Sequence, residues 1–324
     1  MKKKTIKIGF MDFGAADIGF RKWIISFLEQ KYAVEDSDHP DYAFYILSGQ
    51  THHYFPGVRI FWSGENTIPN FNCCDYALGF HHITFEDRYF RLPLWRTYIG
   101  TLELAQHRND TLSDEQALQR DFCATVISNA KQTDGMREKA FEELSRYKPV
   151  ASGGRWKNNV GGPVPNKIEF QKNYKFALAF ENTYSPGYTT EKILEAYASG
   201  CVPIYYGDPR VTEDFNPDSF INAHDFKSLA DLRQYVEEVD RDDKKYLKIL
   251  RAPIFRNNQL PADLTDKAIL AFLSNIFDKT PEQARRRFYS KPYQDIDIVN
   301  IKTRDIKAIL KEFIFGRFRR RRQS

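Results

Sequence analysis

Glu191 and Lys192 open an amphipathic helix directly behind the turn Ser185-Pro186-Gly187-Tyr188-Thr189-Thr190. A helix N-terminus presents unpaired N–H groups and a partial positive charge, which suit a phosphate. Lys192 adds a full cation there, and Glu191 offers a carboxylate to ribose or sugar hydroxyls. The same residues also read as plain helix chemistry, with Thr190 as the cap and Glu191 as a first-turn acid. Arg137 follows Ser128-Asn129 near the start of another helix, and its guanidinium has the fork that grips two phosphate oxygens. Its other reading is a solvated helix-face charge. Glu65 stands just past the apolar run that ends at Phe61-Trp62. A carboxylate at a strand's carboxyl end, in a partly apolar cleft, serves as a general base, or else it binds nearby backbone.

Metal chemistry has weaker support. The vicinal pair Cys73-Cys74 has no second CxxC-type pair to complete a site. His52-His53 and His81-His82 are read as strand neighbours, whose side chains point to opposite faces and do not chelate together. Asp-x-Asp triplets start at Asp36, Asp240 and Asp295, none behind a clear strand. No essential metal is expected. Four scattered cysteines give no disulfide framework and fit a reducing compartment.

These groups need elements to hold them. Phe176 to Phe180 and Val202 to Tyr206 read as buried strands around the helix that Gly200 ends. Lys7 to Met11, Tyr42 to Leu47, Val58 to Trp62, Tyr76 to Phe80 and Phe122 to Ile127 read as further strands. Helices are expected over 18–32, 135–147, 228–239 and 263–277, with a short strand at Phe220-Ile221. Alternating strands and helices argue for parallel sheets with helices on their faces. Ligands then bind at the carboxyl ends of the strands. The 324 residues divide into 1–118, 119–301 and a tail 302–324, which gives two Rossmann-like α/β domains facing a central cleft.

The blocks together resemble the α1,3/4-fucosyltransferases of glycosyltransferase family 10, in a bacterial-like form without a transmembrane anchor. The strand block stands as Lys175-Phe176-Ala177-Leu178-Ala179-Phe180-Glu181-Asn182-Thr183. Tyr188-Thr189-Thr190-Glu191-Lys192-Ile193 follows, then Gly200-Cys201-Val202-Pro203-Ile204 and Gly207. Companion blocks are Ser63-Gly64-Glu65-Asn66 with Asp75 to Phe80, and Ser128-Asn129 with Arg137 and Ser152-Gly153-Gly154. The resemblance implies a GT-B architecture and an inverting transfer of L-fucose from GDP-β-L-fucose. The expected acceptor is the 3-hydroxyl of GlcNAc in lactosamine-type glycans, a Lewis-type fucosylation. It makes Glu65 the general base and puts Arg137 and Lys192 on the diphosphate. Glu191, Asn182, Tyr188, Ser128 and Asn129 fall to the donor. Another linkage, another GDP-sugar, or a non-catalytic sugar-binding protein on this scaffold are the alternatives. One departure stands out: the family often has an acid after the Gly-Phe pair where His81-His82 stand here.

The formal charge is +5, and the segment from Lys302 onward carries +7 of it, leaving −2 for the rest. Ile306 to Arg322 alternates apolar and basic residues and ends in four arginines. This segment reads either as a peripheral contact with an anionic membrane or as a closing helix. The near-neutral body argues against nucleic acid as a partner. No signal peptide or membrane span is read from the sequence. The expected location is the bacterial cytoplasm, with the tail at the inner face of the cytoplasmic membrane. No cofactor beyond the donor is expected, and a divalent metal is expected at most to stimulate.

Overall fold

The computed structural model describes residues 2–47, 51–110, 112–128 and 133–287. Asn129 and the basic segment 302–324 lie outside them. The first sheet contains β1 (Thr5–Met11), β2 (Ala33–Asp36), β3 (Tyr42–Tyr45), β4 (Val58–Trp62), β5 (Tyr76–Gly79) and β6 (Tyr89–Arg91). Its spatial order is β2-β1-β3-β4-β5-β6, with every pairing parallel. The second sheet contains β7 (Asp121–Thr125), β8 (Val150–Ser152), β9 (Tyr174–Phe180), β10 (Val202–Tyr206) and β11 (Ile221–Asn222). It runs β11-β10-β9-β7-β8, again all parallel. Continuous burial along β3, β4, β5 and β9 explains their unbroken apolar runs, because a parallel sheet is covered on both faces.

Helix α1 (Ile18–Glu29) buries Phe20, Trp23, Ile24, Phe27 and Leu28, spaced to form one apolar face. That face packs on Ile6, Ile8, Phe44, Ile60 and Trp62 of the first sheet. The chain then crosses over through α2 (Ile99–Gln106) and α3 (Asp114–Leu118). The second unit carries α4 (Met136–Ser145), α5 (Lys167–Gln171), α6 (Glu191–Ala198), α7 (Leu229–Arg241) and α8 (Asp243–Arg251). Two further helices, α9 (Asp266–Phe277) and α10 (Pro281–Ala284), end the described chain.

The packing departs from the divisions 1–118 and 119–301. Trp95, Leu102 and Ala105 bury against Ile193, Leu194 and Tyr197 of α6, inside the second unit. Ile269, Leu273, Ile276 and Phe277 of α9 join the core of the first sheet. The chain returns further still: the backbone N–H groups of Arg286 and Arg287 donate to Asp75 Oδ1 at 2.8 Å each, and Arg287 pairs with Asp75 Oδ2 at 3.1 Å. An amphipathic pattern names a helix and its buried face, but not the sheet that receives that face. The two units are also clamped directly. Arg91 of β6 forks the carboxylate of Asp214 at 2.8 and 2.6 Å, and the Trp95 indole donates to the same carboxylate at 3.2 Å. Arg96 reaches the Leu264 carbonyl at 2.7 Å and also pairs with Asp266.

Candidate active site

Strand β9 delivers Glu181 to the carboxyl edge of the second sheet, where the residue is fully buried. Its carboxylate accepts the Thr190 N–H at 2.7 Å, the Thr190 hydroxyl at 2.8 Å and the Lys192 ammonium at 2.9 Å. Burial pushes the Glu181 carboxyl up, and Lys192 opposes that. Thr190 occupies the cap position of α6, but its hydroxyl makes no capping bond and serves Glu181 instead. Burial disfavours the charge on Lys192, yet Glu181 and Glu191 outweigh it and hold the ammonium protonated above its ordinary range. Lys192 also donates to Thr190 Oγ1 at 2.8 Å. Two of its three donors are thus committed, which aims the third. Glu191 lies 3.7 Å from Lys192. Burial raises its carboxyl, but Lys192 and Lys167 prevail and keep it below the ordinary value.

Arg137 enters from the first turn of α4 and is 6% exposed. Burial lowers its pKa, while Glu181, Asp134 and Tyr188 counter that as nearby acidic groups. Asp134 ties the surrounding loops together: it accepts the Tyr184 N–H at 2.9 Å and the Tyr206 hydroxyl at 3.1 Å. Asn182 is half-buried beside it and accepts the Asp134 N–H through its carbonyl at 3.1 Å. Ser128 is exposed just past β7. The loop after β8 leans on that strand end, with the Trp156 N–H on the Ile127 carbonyl at 3.0 Å.

Asp208 braces the turn ahead of α6. It is fully buried and accepts the Gly187 N–H at 2.7 Å, the Thr189 hydroxyl at 3.0 Å and the Arg210 N–H at 2.8 Å. The turn rests on the first unit. Tyr188 is buried and meets Phe80 edge-on at 4.9 Å. Gly187 has φ +89°, and a Cβ there would lie 2.4 Å from the Phe80 carbonyl. Only glycine fits that conformation and that contact together. His81-His82 therefore lie directly under the turn, with His82 Nδ1 3.8 Å from Glu213. Burial lowers the pKa of both imidazoles.

Across from the turn, Glu65 is exposed at the carboxyl end of β4, its N–H held by Ser63 Oγ at 3.0 Å. The neighbouring Asn66 joins the units: it donates to Thr183 Oγ1 at 3.2 Å and accepts from Ser185 Oγ at 3.1 Å. Glu65 lines a groove of about 700 Å³ with Phe20, Leu47, Trp62, Leu94 and Tyr98. The Tyr98 phenol is pushed up to about 12 by burial, then by Glu191 and Glu195, so the groove borders the start of α6.

The structure therefore gathers Glu181, Arg137, Tyr188, Glu191 and Lys192, with Asn182 beside them and Glu65 across the contact. Sequence reasoning gave no role to Asp208, Tyr98 or the Glu181–Lys192 pair. An acid directly after a strand, as in Gly207-Asp208-Pro209, was the one available signal for Asp208. The histidine pairs are also placed differently from the strand reading. His52-His53 occupy a short 3-10 helix with rings 4.1 Å apart, and His81-His82 follow β5 in a loop. Among the described residues, no group of three or more His, Cys, Asp or Glu is placed to hold a metal ion.

The family model for the Alpha-(1,3)-fucosyltransferase FucT N-terminal domain matches residues 8–98. The model for the Glycosyltransferase family 10 (fucosyltransferase) C-terminal part matches residues 117–252. The Alpha-(1,3)-fucosyltransferase FucT of Helicobacter pylori is 36% identical over 267 residues, covering 69% of this chain and 54% of that protein. The 3-galactosyl-N-acetylglucosaminide 4-alpha-L-fucosyltransferase of Homo sapiens is 32% identical over 203 residues, covering 59% and 53%. The chain thus spans about half the length of these curated relatives. A crystal structure of an alpha1,3-fucosyltransferase with GDP superposes with a TM-score of 0.75 at 31% identity, covering 86% of this chain and 91% of that one. A structure of an alpha1,3-fucosyltransferase with GDP-fucose gives 0.74 at 31% identity, covering 86% and 92%. With two parallel sheets facing each other at their carboxyl ends, and with sequence and structure both aligned along most of its length, this chain belongs to glycosyltransferase family 10, the fucosyltransferases.

Proposed function

We propose that this protein transfers L-fucose from GDP-β-L-fucose to the 3-hydroxyl of GlcNAc in lactosamine-type glycans, with inversion at the anomeric carbon. The observation that carries the reading is the Asn66 bridge to Thr183 and Ser185. It holds the loop of Glu65 against the loop that presents Tyr188, Glu191 and Lys192. Glu65 takes the proton of the acceptor hydroxyl as that oxygen attacks the anomeric carbon, and the bond to the β-phosphate oxygen breaks on the opposite face. Negative charge then grows on the departing GDP. Arg137, whose charge Glu181 supports, and the third donor of Lys192, which Glu181 holds, meet it with cations already in place, so little reorganisation is needed. Glu191 faces the positive charge that develops on the sugar ring. Asn182 and Tyr188 border the donor, as do Ser128 and Asn129 in the sequence pattern. No metal is required on this reading, because the two cations and the helix terminus serve the diphosphate.

The test is Glu65→Gln with GDP-fucose and N-acetyllactosamine. Transfer should fall at least about 100-fold, the usual worth of a positioned base, while GDP affinity stays within twofold. Transfer retained within tenfold of the wild type would remove Glu65 from the chemistry. Linkage analysis of the product decides between the 3- and 4-hydroxyl.

A further inference from the structure

We infer that the Glu65 groove selects electrically neutral acceptor glycans and rejects those carrying a carboxylate. The inference deepens the proposed function and rests on its placing of the acceptor beside Glu65. The groove holds about 700 Å³, within the range of roughly 300–1,000 Å³ that encloses a small ligand. Sugar residues next to the reacting one therefore share it. Among the described residues that line it, two are charged, Asp17 and Glu65, and both are acidic, with no Lys, Arg or His among them. Asp17 is fixed in place, since its Oδ2 accepts the Gly14 N–H at 2.8 Å.

Three cations on neighbouring elements are engaged in ion pairs. Arg21 pairs with Asp36, Arg96 with Asp266, and Lys192 with Glu181. The rim adds Ile18, Leu47 and Ile99, each at least 44% exposed, and apolar surface weakens local screening. An anionic sugar in this groove faces two like charges, with no cation among the described lining residues to compensate them. A like charge several ångströms away, partly screened, lowers binding about tenfold. The neutral acceptor loses nothing, and its hydroxyls find Asp17, Ser63, Thr97 and Thr101 as partners along the lining.

The experiment compares N-acetyllactosamine with the same disaccharide bearing a terminal sialic acid. Acceptor binding is measured by saturation-transfer NMR and transfer by product formation from GDP-fucose. At low salt the neutral acceptor should win by about tenfold or more in kcat/KM. The ratio should shrink toward one as salt rises, because screening shortens the reach of Asp17 and Glu65. Asp17→Asn, which keeps an oxygen for the Gly14 N–H, should cut the low-salt ratio several-fold. Equal transfer to both acceptors at low salt, or a ratio indifferent to both salt and Asp17→Asn, overturns the inference and leaves the proposed activity standing. Selective binding of the neutral sugar without any transfer upholds the inference and refutes the activity.

Discussion

Gly187→Ala tests whether the turn ahead of α6 must press on the first unit. The added Cβ would lie 2.4 Å from the Phe80 carbonyl oxygen, 3.1 Å from His81 Cα and 3.1 Å from the His82 ring. Two of those neighbours are backbone and cannot rotate away. The φ of +89° adds about 1–2 kcal/mol for any residue with a side chain. Clearing the carbonyl requires the turn to lift by more than half an ångström, which strains the 2.7 Å bond from Gly187 N–H to Asp208. A hydrogen bond to a charged group is worth about 1.5–3 kcal/mol. The two contributions together come to about 2.5–5 kcal/mol, or a melting temperature about 5–10 °C lower, at the smaller end of the usual conversion for a chain this long. Lifting the turn also parts Tyr188 from Phe80, so GDP should bind roughly tenfold more weakly. Calorimetric melting and GDP titration read both effects. Gly161→Ala is the internal control: its φ is +87°, but nothing lies within 4 Å of its Cβ. It should cost the backbone part alone and leave GDP affinity unchanged. If Gly187→Ala melts within 1 °C of Gly161→Ala and binds GDP equally well, the contact does not position the turn.

Three further outcomes are expected. Asp208→Asn should raise the donor KM about tenfold with a smaller change in kcat, because Gly187, Thr189 and Arg210 lose a charged acceptor; equal KM values would show that the turn holds itself. Arg91→Lys should lower the melting temperature by several degrees, since an ammonium cannot fork both Asp214 oxygens and the exchange costs about 2 kcal/mol. An unchanged melt would make that clamp dispensable. His52 is pushed down to about 4 by burial, with Asp12 opposing. A depressed histidine favours the neutral form in the fold, so its stabilisation is complete above about pH 6.5 and is lost as pH falls toward 4. The melting temperature of His52→Gln should therefore vary less with pH across that window than that of the wild type, and parallel curves would contradict the assignment.

Much of this arrangement was written locally in the chain. The long buried strands and the helices at 18, 136, 191 and 229 announce themselves through period and punctuation, and Glu65, Arg137 and Lys192 stand at element ends where ligands bind. The shorter strands were silent for physical reasons. Ala33–Asp36 is a largely exposed edge, and Tyr89–Arg91 and Val150–Ser152 have three residues each, too few for an alternation to register. Residues 243–251 do not read as a helix in the sequence because five charged residues obscure the buried face of Tyr246, Ile249 and Leu250. Partnerships were less legible still. Glu181 sits in a recognisable block, but its bond to Lys192 spans a strand, a turn and a helix start. The His52-His53 geometry turned on a 3-10 helix that a strand reading excludes.

The two passages of chain between the units carry a practical consequence. Trp95 to Ala105 is anchored in the second unit and Asp266 to Arg287 in the first. A chimera spliced once near residue 118 would therefore graft the first unit onto a foreign return helix, and strip Ile269, Leu273, Ile276 and Phe277 of the surface they evolved against. Exchange of the first unit between relatives needs two junctions: one ahead of Trp95, and one near Leu264 that carries the return segment with its own sheet.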